Sequence, residues 1–190
     1  MNKIDILELI NGQYTYANWS SGSMYELHGK PINDKEIVVY YTIKKAIMKK
    51  TISRVFTRYI NLTPSFCWAL GFFRGEGLSS RRSKSYHRFN ITNKNPVCLK
   101  KFLKEIDKSG LLLSHNIKGK CFQIHHFMNR PEIVEKYWSD QLGFPLEMFS
   151  AIDYDHNLSK EGNGVCHFDI GDVLLRRIID LINDSIIAEE

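Results

Sequence analysis

The chain has 190 residues, 43% apolar and 25% charged, enough for one folded domain with a real core and a short appendage. No apolar run approaches the roughly 18 residues of a membrane span, and Met1-Asn2-Lys3-Ile4-Asp5 lacks the basic-then-apolar layout of a secretory signal. The expected location is therefore intracellular, in the cytoplasm or in an organelle for an organelle-encoded chain. The net charge of +5 is modest but unevenly placed: residues 1–36 carry three basic and five acidic side chains, residues 37–104 fifteen basic and one acidic, and residues 105–190 eight basic and fifteen acidic. A block as basic as 37–104 is the electrostatic footprint of a phosphate-backbone binder, the plain alternative being a solvated cationic face.

In chain order, Ile4, Leu7, Leu9 and Ile10 suggest a short helix. Residues 11–34 are rich in Gly, Ser, Asn and Tyr, with turn signals at Asn11-Gly12 and Ser21-Gly22. Residues 36–59 read as one or two basic helices that lie on DNA, because Lys44, Lys45, Lys49, Lys50, Arg54 and Arg58 alternate with Ile43, Ile47, Ile52, Val55 and Phe56. Residues 1–61 are thus expected to form a partly helical, basic N-terminal extension.

A boundary follows at Thr63-Pro64, where Thr63 suits an N-cap and Pro64 the first helical position. The helix is expected to run to about Gly75, with Gly77 as a left-handed terminating residue. Residues 78–82 and 87–93 read as a hairpin, with Phe89 and Ile91 on one face and Arg88, Asn90 and Thr92 on the other. Asn95-Pro96 opens a helix over 96–108 with an apolar stripe of Val97, Leu99, Phe102, Leu103 and Ile106, and Ser109-Gly110 stops it. Residues 111–118 and 120–127 predict a second hairpin around Gly119, with Phe122 and Ile124 inward and Cys121, Gln123 and His125 outward. A helix over 131–141 completes an α-β-β-α-β-β-α order. Beyond it come a strand near 146–152, a loop at 159–164, a strand at 165–170 and a helix from 172 to 187. The fold class is α+β, with a domain over 62–190 made of a core at 62–141 and a ββα extension at 142–190.

The four cysteines, Cys67, Cys98, Cys121 and Cys166, form no C-x-x-C pair and read as reduced, mostly buried thiols. Trp68 and Trp138 read as core. His125-His126 reads as one ring out and one packed. Asp153, Asp155 and His156 have the composition of a metal cluster but fall in an expected loop.

Glu76 stands apart. It is the one acid among fifteen basic side chains, and it lies at a helix C-terminus, where the helix dipole disfavours a carboxylate. Such an acid makes sense beside a divalent cation, since Mg²⁺ takes carboxylate, water and phosphate oxygens. Gly71 and Gly75, four residues apart on one helix face, allow a second helix to approach closely. Packing that helix on its own copy would bring two Glu76 side chains to a dyad, where two metal-bound carboxylates serve two strands of a duplex.

The run Ala69-Leu70-Gly71-Phe72-Phe73-Arg74-Gly75-Glu76-Gly77 resembles the signature of LAGLIDADG homing endonucleases, and Leu62-Thr63-Pro64-Ser65-Phe66 and Asn90-Ile91-Thr92-Asn93-Lys94 also resemble that family. The likeness spans about residues 62–141. Arg74 departs from it, standing where an acid is common. Gln141-Leu142-Gly143-Phe144-Pro145 faintly echoes a second signature, but it has a proline and no closing acid and reads as a loop.

The resemblance implies an αββαββα saddle and a single-signature homodimer. It further implies hydrolysis of both strands of double-stranded DNA with Mg²⁺ (or Mn²⁺) held at Glu76 and Gly75, and a dimer interface at Gly71 and Gly75. The hairpins would lie in the major groove, nominating Ser80, Arg82, Arg88, Asn90, Thr92, Gln123 and His125 for base edges. Lys84 and Lys94 would contact phosphates, as would Lys118 and Lys120. Lys118, Lys120 and Arg130 are the candidates for a catalytic basic residue, and the sequence does not choose among them. A non-catalytic DNA-binding regulator and an RNA-splicing maturase are the alternatives on the same scaffold.

Overall fold

Among the described residues up to 61, strands predominate. In the computed structural model, residues 3–16, 23–45, 48–77, 88–113, 117, 119–126, 130–153 and 163–188 are described. The elements begin with β1 (Lys3–Asp5), a one-turn helix α1 (Ile6–Leu9), β2 (Tyr14–Tyr16), β3 (Met24–Glu26), β4 (His28–Pro31), β5 (Glu36–Lys45), β6 (Met48–Thr57) and β7 (Tyr59–Asn61). They continue with α2 (Pro64–Glu76), β8 (Asn90–Asn93), α3 (Pro96–Lys108), β9 (Phe122–His126), α4 (Pro131–Leu142), a 3₁₀ turn (Leu146–Met148), β10 (Phe149–Asp153), β11 (Val165–Asp169) and α5 (Val173–Ile187).

The basic helix expected over 36–59 is instead the β5–β6 hairpin. The deciding pattern is period two: Ile37, Val39 and Tyr41 are all within 2% of full burial, and the residues between them are not. These are β-branched and aromatic side chains suited to a pleated, half-buried surface. The paired lysines at 44–45 and 49–50 flank the hairpin turn, and that spacing imitates a helical repeat. The short helix expected near Ile4–Ile10 is present in reduced form as α1, capped by Asp5, whose carboxylate accepts from the Leu7 N–H at 2.9 Å. Gly12 turns the chain at φ 68°, as its Asn-Gly signal requires.

Strands β1 and β7 pair, β2 and β3 pair, and β4-β5-β6 form a three-stranded sheet. The largest sheet has the order β10-β9-β11-β8, with β9 and β10 parallel and the other pairs antiparallel. This order corrects the second expected hairpin. Both edges of β9 are taken, by β10 and β11, and the described residues of 111–118 do not pair with it. Residues 111–113 form a turn with Leu111 and Leu112 buried. The two strands expected as a C-terminal extension therefore complete the central sheet. The first hairpin's residues 78–87 lie outside the described residues, as do parts of 111–118 and of the 159–164 loop.

The helices follow their caps. Thr63 Oγ1 accepts from the Phe66 N–H at 3.1 Å, Asn95 Oδ1 from the Val97 N–H at 2.9 Å, and Asp172 Oδ1 from the Leu175 N–H at 2.8 Å. Gly143 ends α4 in the left-handed region at φ 80°. Gly77 does not use that freedom. Its backbone is extended, at φ −68° and ψ 143°, and glycine is needed because a Cβ would collide with the Phe73 carbonyl oxygen. Val97 departs from the expected stripe of α3 and is 69% exposed, while Leu99, Phe102, Leu103 and Ile106 are buried. It sits in the first turn, before the helix reaches the core.

The core is aromatic where α2, α3 and the large sheet meet. Phe73 stacks on Phe102 (5.9 Å between centroids, 3° between planes) and on Phe89 (5.1 Å). Phe122 stacks on Phe149 at 4.6 Å across the parallel pair. Trp138 is fully buried and donates its indole N–H to the Asn163 carbonyl at 2.7 Å, whereas Trp68 is only half-buried and carries Lys101 over its ring at 4.1 Å.

Helix α5 buries Leu174, Leu175, Ile178, Ile179, Leu181 and Ile182 around most of its circumference, as a helix enclosed by neighbours does. On one side Arg177 donates to the Tyr14 carbonyl at 2.8 Å. On the other the Arg176 guanidinium lies 4.6 Å from the Phe73 ring centre and binds Asp180 at 2.9 Å. Burial pushes the Asp180 carboxyl above the usual carboxylate range, against the pull of Arg176.

Candidate nucleic-acid interface

The large sheet has two unlike faces. Ile91, Phe168, Phe122 and Ile124 point into the core and are fully buried. Strand alternation sends their neighbours to the other face. The register there sets His167 opposite both Thr92 and Gln123, Asp169 opposite Asn90, and Ile152 and Val165 opposite His125. Side-chain contacts agree with the register: Thr92 Oγ1 and His167 Nδ1 are 2.5 Å apart, and the His125 and His167 rings stack at 6.2 Å. Arg88, just before β8, binds Asp169 at 3.4 Å.

Five residues expected from sequence to face DNA thus converge on this end of one sheet: Arg88, Asn90, Thr92, Gln123 and His125. Gln123 and Arg88 are exposed, and Thr92 and His125 are half-buried. Asn90 is corrected in environment, being only 2% exposed. It lies inside the sheet, with β11 on one side and the Gly77–Ile91 bridge on the other. Its Oδ1 is buried with no hydrogen-bond partner among the described residues, a state that costs about 1–3 kcal/mol if left so. Lys94 is exposed just past the end of β8, and Lys120 and Arg130 are exposed on either side of β9. Ser80, Arg82, Lys84, Lys118, Asp155 and His156, and the side chain of Asp153, lie outside the described residues.

The sequence reading missed His167 and Asp169. Both belong to β11, whose insertion between β8 and β9 brings them to the centre of the face. The alternation Cys166-His167-Phe168-Asp169 is visible in the sequence, but the strand's place in the sheet is not. Burial lowers the pKa of both His125 and His167; for His167 the Asp169 carboxylate opposes this, and His125 and Arg88 add to it. Both rings are therefore neutral near pH 7. The unfolded chain takes up protons as pH falls through the ordinary histidine value of 6.5, while the folded chain does so only at lower pH. The stability held by these neutral rings is present above that value and is lost as pH falls through the folded pKa. Urea midpoints measured at pH 7 and pH 5 should show that loss in the wild type and a smaller loss in His167→Asn; equal losses would discount the buried imidazole.

His126 is buried and His125 half-buried, the one-packed, one-outward arrangement expected of the pair. Among the described residues no group of three His, Cys, Asp or Glu is disposed to hold a metal. Cys121 and Cys166 are buried, and burial pushes the Cys121 thiol up to about 11 and that of Cys166 higher still. Cys98 is half-buried and Cys67 is exposed, so two of the four thiols depart from the expected burial.

Helix α2 buries Phe66, Ala69, Leu70 and Phe73 and leaves Cys67, Gly71, Arg74, Gly75 and Glu76 exposed. A Cβ built on Gly71 or Gly75 meets nothing within 4 Å among the described residues, so packing against those residues does not require either glycine. Cys67, Gly71 and Gly75 follow at four-residue spacing and form one narrow edge of small residues. The basic block is partly neutralised in the fold: Arg54 binds Asp172 at 2.5 Å and Arg58 binds Asp5 at 2.9 Å, besides the Arg88–Asp169 pair. Among the described residues no helix is long and apolar enough to cross a membrane. No family model, curated protein or solved structure matches the chain.

Proposed function

We propose that the chain is a site-specific endonuclease that hydrolyses phosphodiester bonds of double-stranded DNA with Mg²⁺ (or Mn²⁺) and works as a homodimer joined along α2. The observation that carries this reading is the shared polar sheet face of Arg88, Thr92, Gln123, His125 and His167. A twisted sheet with one polar face suits the major groove, whose width admits β-structure.

Glu76 fits a hard cation in its chemistry, being an exposed carboxylate beside a glycine that adds no side-chain bulk. One carboxylate does not make a site, and a second copy packed on the open Gly71–Gly75 edge would supply the other. When bound, the metal supplies Lewis-acid polarisation and an activated water. In this reading Glu76 holds the ion, Lys118, Lys120 or Arg130 offsets charge at the phosphate, and the sheet face fixes the register of the duplex.

The test is a cleavage selection on a randomised duplex library with Mg²⁺. Enrichment of a near-palindromic cut site is expected. Tight binding without cutting, with Mn²⁺ as well as Mg²⁺, would leave a regulator on the same scaffold; preference for structured RNA over duplex DNA would indicate a maturase.

The dimer has its own test. With Cys98 replaced by Ser, a short bis-maleimide should link two chains through Cys67 at micromolar concentration. Substituting Gly71→Leu should abolish the product, and linking unaffected by that change would place the contact elsewhere.

A further inference from the structure

We propose that the outer end of the β5–β6 hairpin is a second DNA-contacting element, a two-stranded arm whose Lys44, Lys49 and Lys50 bind phosphates flanking the part of the duplex read by the large sheet. This rests on the DNA-binding reading above and adds a surface to it.

The hairpin is longer than the sheet that supports it. Strand β4 pairs with β5 only as far as Tyr40, opposite His28, and Tyr41 packs against Tyr25 of β3. Beyond that point residues 42–45 and 48–51 pair only with one another among the described residues. At about 3.3 Å per residue this leaves an arm roughly 13 Å long.

The two faces of the arm differ. One face carries on from the core through Val39 and Tyr41 to Ile43, Ile52 and Lys50. The other sets Tyr40 opposite Ser53, Thr42 opposite Thr51 and Lys44 opposite Lys49, with the two threonine hydroxyls 3.2 Å apart. Lys44, Lys49, Lys50, Thr51 and Ser53 are exposed. The hairpin strands contain one acid, Glu36, at the far end from these lysines. Like charges directly across a ladder, as at Lys44 and Lys49, destabilise a hairpin. Such a pair is relieved by a polyanion, and hydroxyl and ammonium donors are the groups that contact phosphate oxygens.

The base of the hairpin, below the arm, is joined to the reading face. Arg54, on the same hairpin face as Lys50, binds Asp172. Asp172 lies three residues beyond Asp169, the partner of Arg88, and its carbonyl accepts from the Phe89 N–H at 3.0 Å. The hairpin from which the arm extends is therefore anchored beside the start of β8 and the end of β11, the strands that carry Arg88 and Asp169.

The experiment compares the full-length wild type with the combined Lys44→Ala, Lys49→Ala and Lys50→Ala variant, and with the matching Lys→Arg variant. Binding to a selected duplex is measured against salt concentration, and the complexes are footprinted. Loss of three phosphate contacts should lower the slope of log affinity against log salt by about 2–3. The footprint should shorten at its flanks, with the protected centre unchanged, and the Lys→Arg variant should restore both. An unaltered slope and footprint in the alanine variant, with the wild type binding normally, overturns the arm while leaving the sheet reading intact. Absence of any duplex binding by the wild type overturns both. The alanine variant should keep the wild-type circular dichroism and melt at or slightly above the wild-type temperature, because all three side chains are exposed and the Lys44–Lys49 repulsion is removed.

Discussion

Glu76→Gln is expected to reduce DNA cleavage by about 10³-fold or more while leaving duplex affinity, measured without metal, within about threefold of wild type. A metal-held carboxylate supports several kcal/mol of transition-state charge stabilisation, and each 1.36 kcal/mol is worth about tenfold in rate. The amide keeps the shape of the acid and loses the negative charge, so the change removes the proposed ligand without adding bulk.

The helix supplies an internal control. Glu76 is the exposed last residue of α2, where the dipole disfavours an anion, so the variant should be as stable as wild type or more stable by a few tenths to about 1 kcal/mol. Loss of cutting with unchanged melting and binding would tie the chemistry to this one group. Equal cutting by both proteins would remove Glu76 from it.

The second large effect concerns the fold. Phe102→Ala should cost about 3–5 kcal/mol, the range for truncating a fully buried phenylalanine. Its ring joins three elements, lying against Phe72 and Phe73 of α2 and Phe89 at the start of the large sheet. Urea unfolding of wild type and variant measures the loss directly, and the melting temperature should fall by on the order of 10 °C. Val97→Ala, in the same helix, should change stability by less than about 0.5 kcal/mol because that side chain is 69% exposed. The pair separates the observed core from the wider apolar stripe that periodicity suggests. A cost at Phe102 below about 1 kcal/mol would mean the aromatic cluster is not packed as described.

What could be read from the sequence was local. Thr63-Pro64, Asn95-Pro96 and Asp172 mark helix starts through hydrogen bonds made within three residues, and each cap is found in place. The alternation around Phe89 and Ile91 and around Phe122 and Ile124 places the same side chains in the core. What could not be read was partnership. Whether β9 pairs with the segment before it or with β10 and β11 depends on contacts distant in sequence, and nothing within 111–127 encodes it. The hairpin at 36–57 was obscured differently, by paired lysines that fit a helical repeat as well as a strand turn. Glu76 was conspicuous by charge alone. His167 and Asp169 were not, because their standing comes from the strand beside them.

Helix α5 has a consequence for any attempt to divide the molecule. It touches the first strands through Arg177 and Tyr14 and the aromatic cluster through Arg176 and Phe73. The two regions therefore share a common wall, and neither has a complete interior without it. Unfolding should be a single concerted event, with amide exchange in β2 and α2 reporting the same opening. A chimera that swaps the N-terminal strands for those of another protein would have to redesign the near side of α5 while preserving its far side. The natural unit of transplantation is the whole chain.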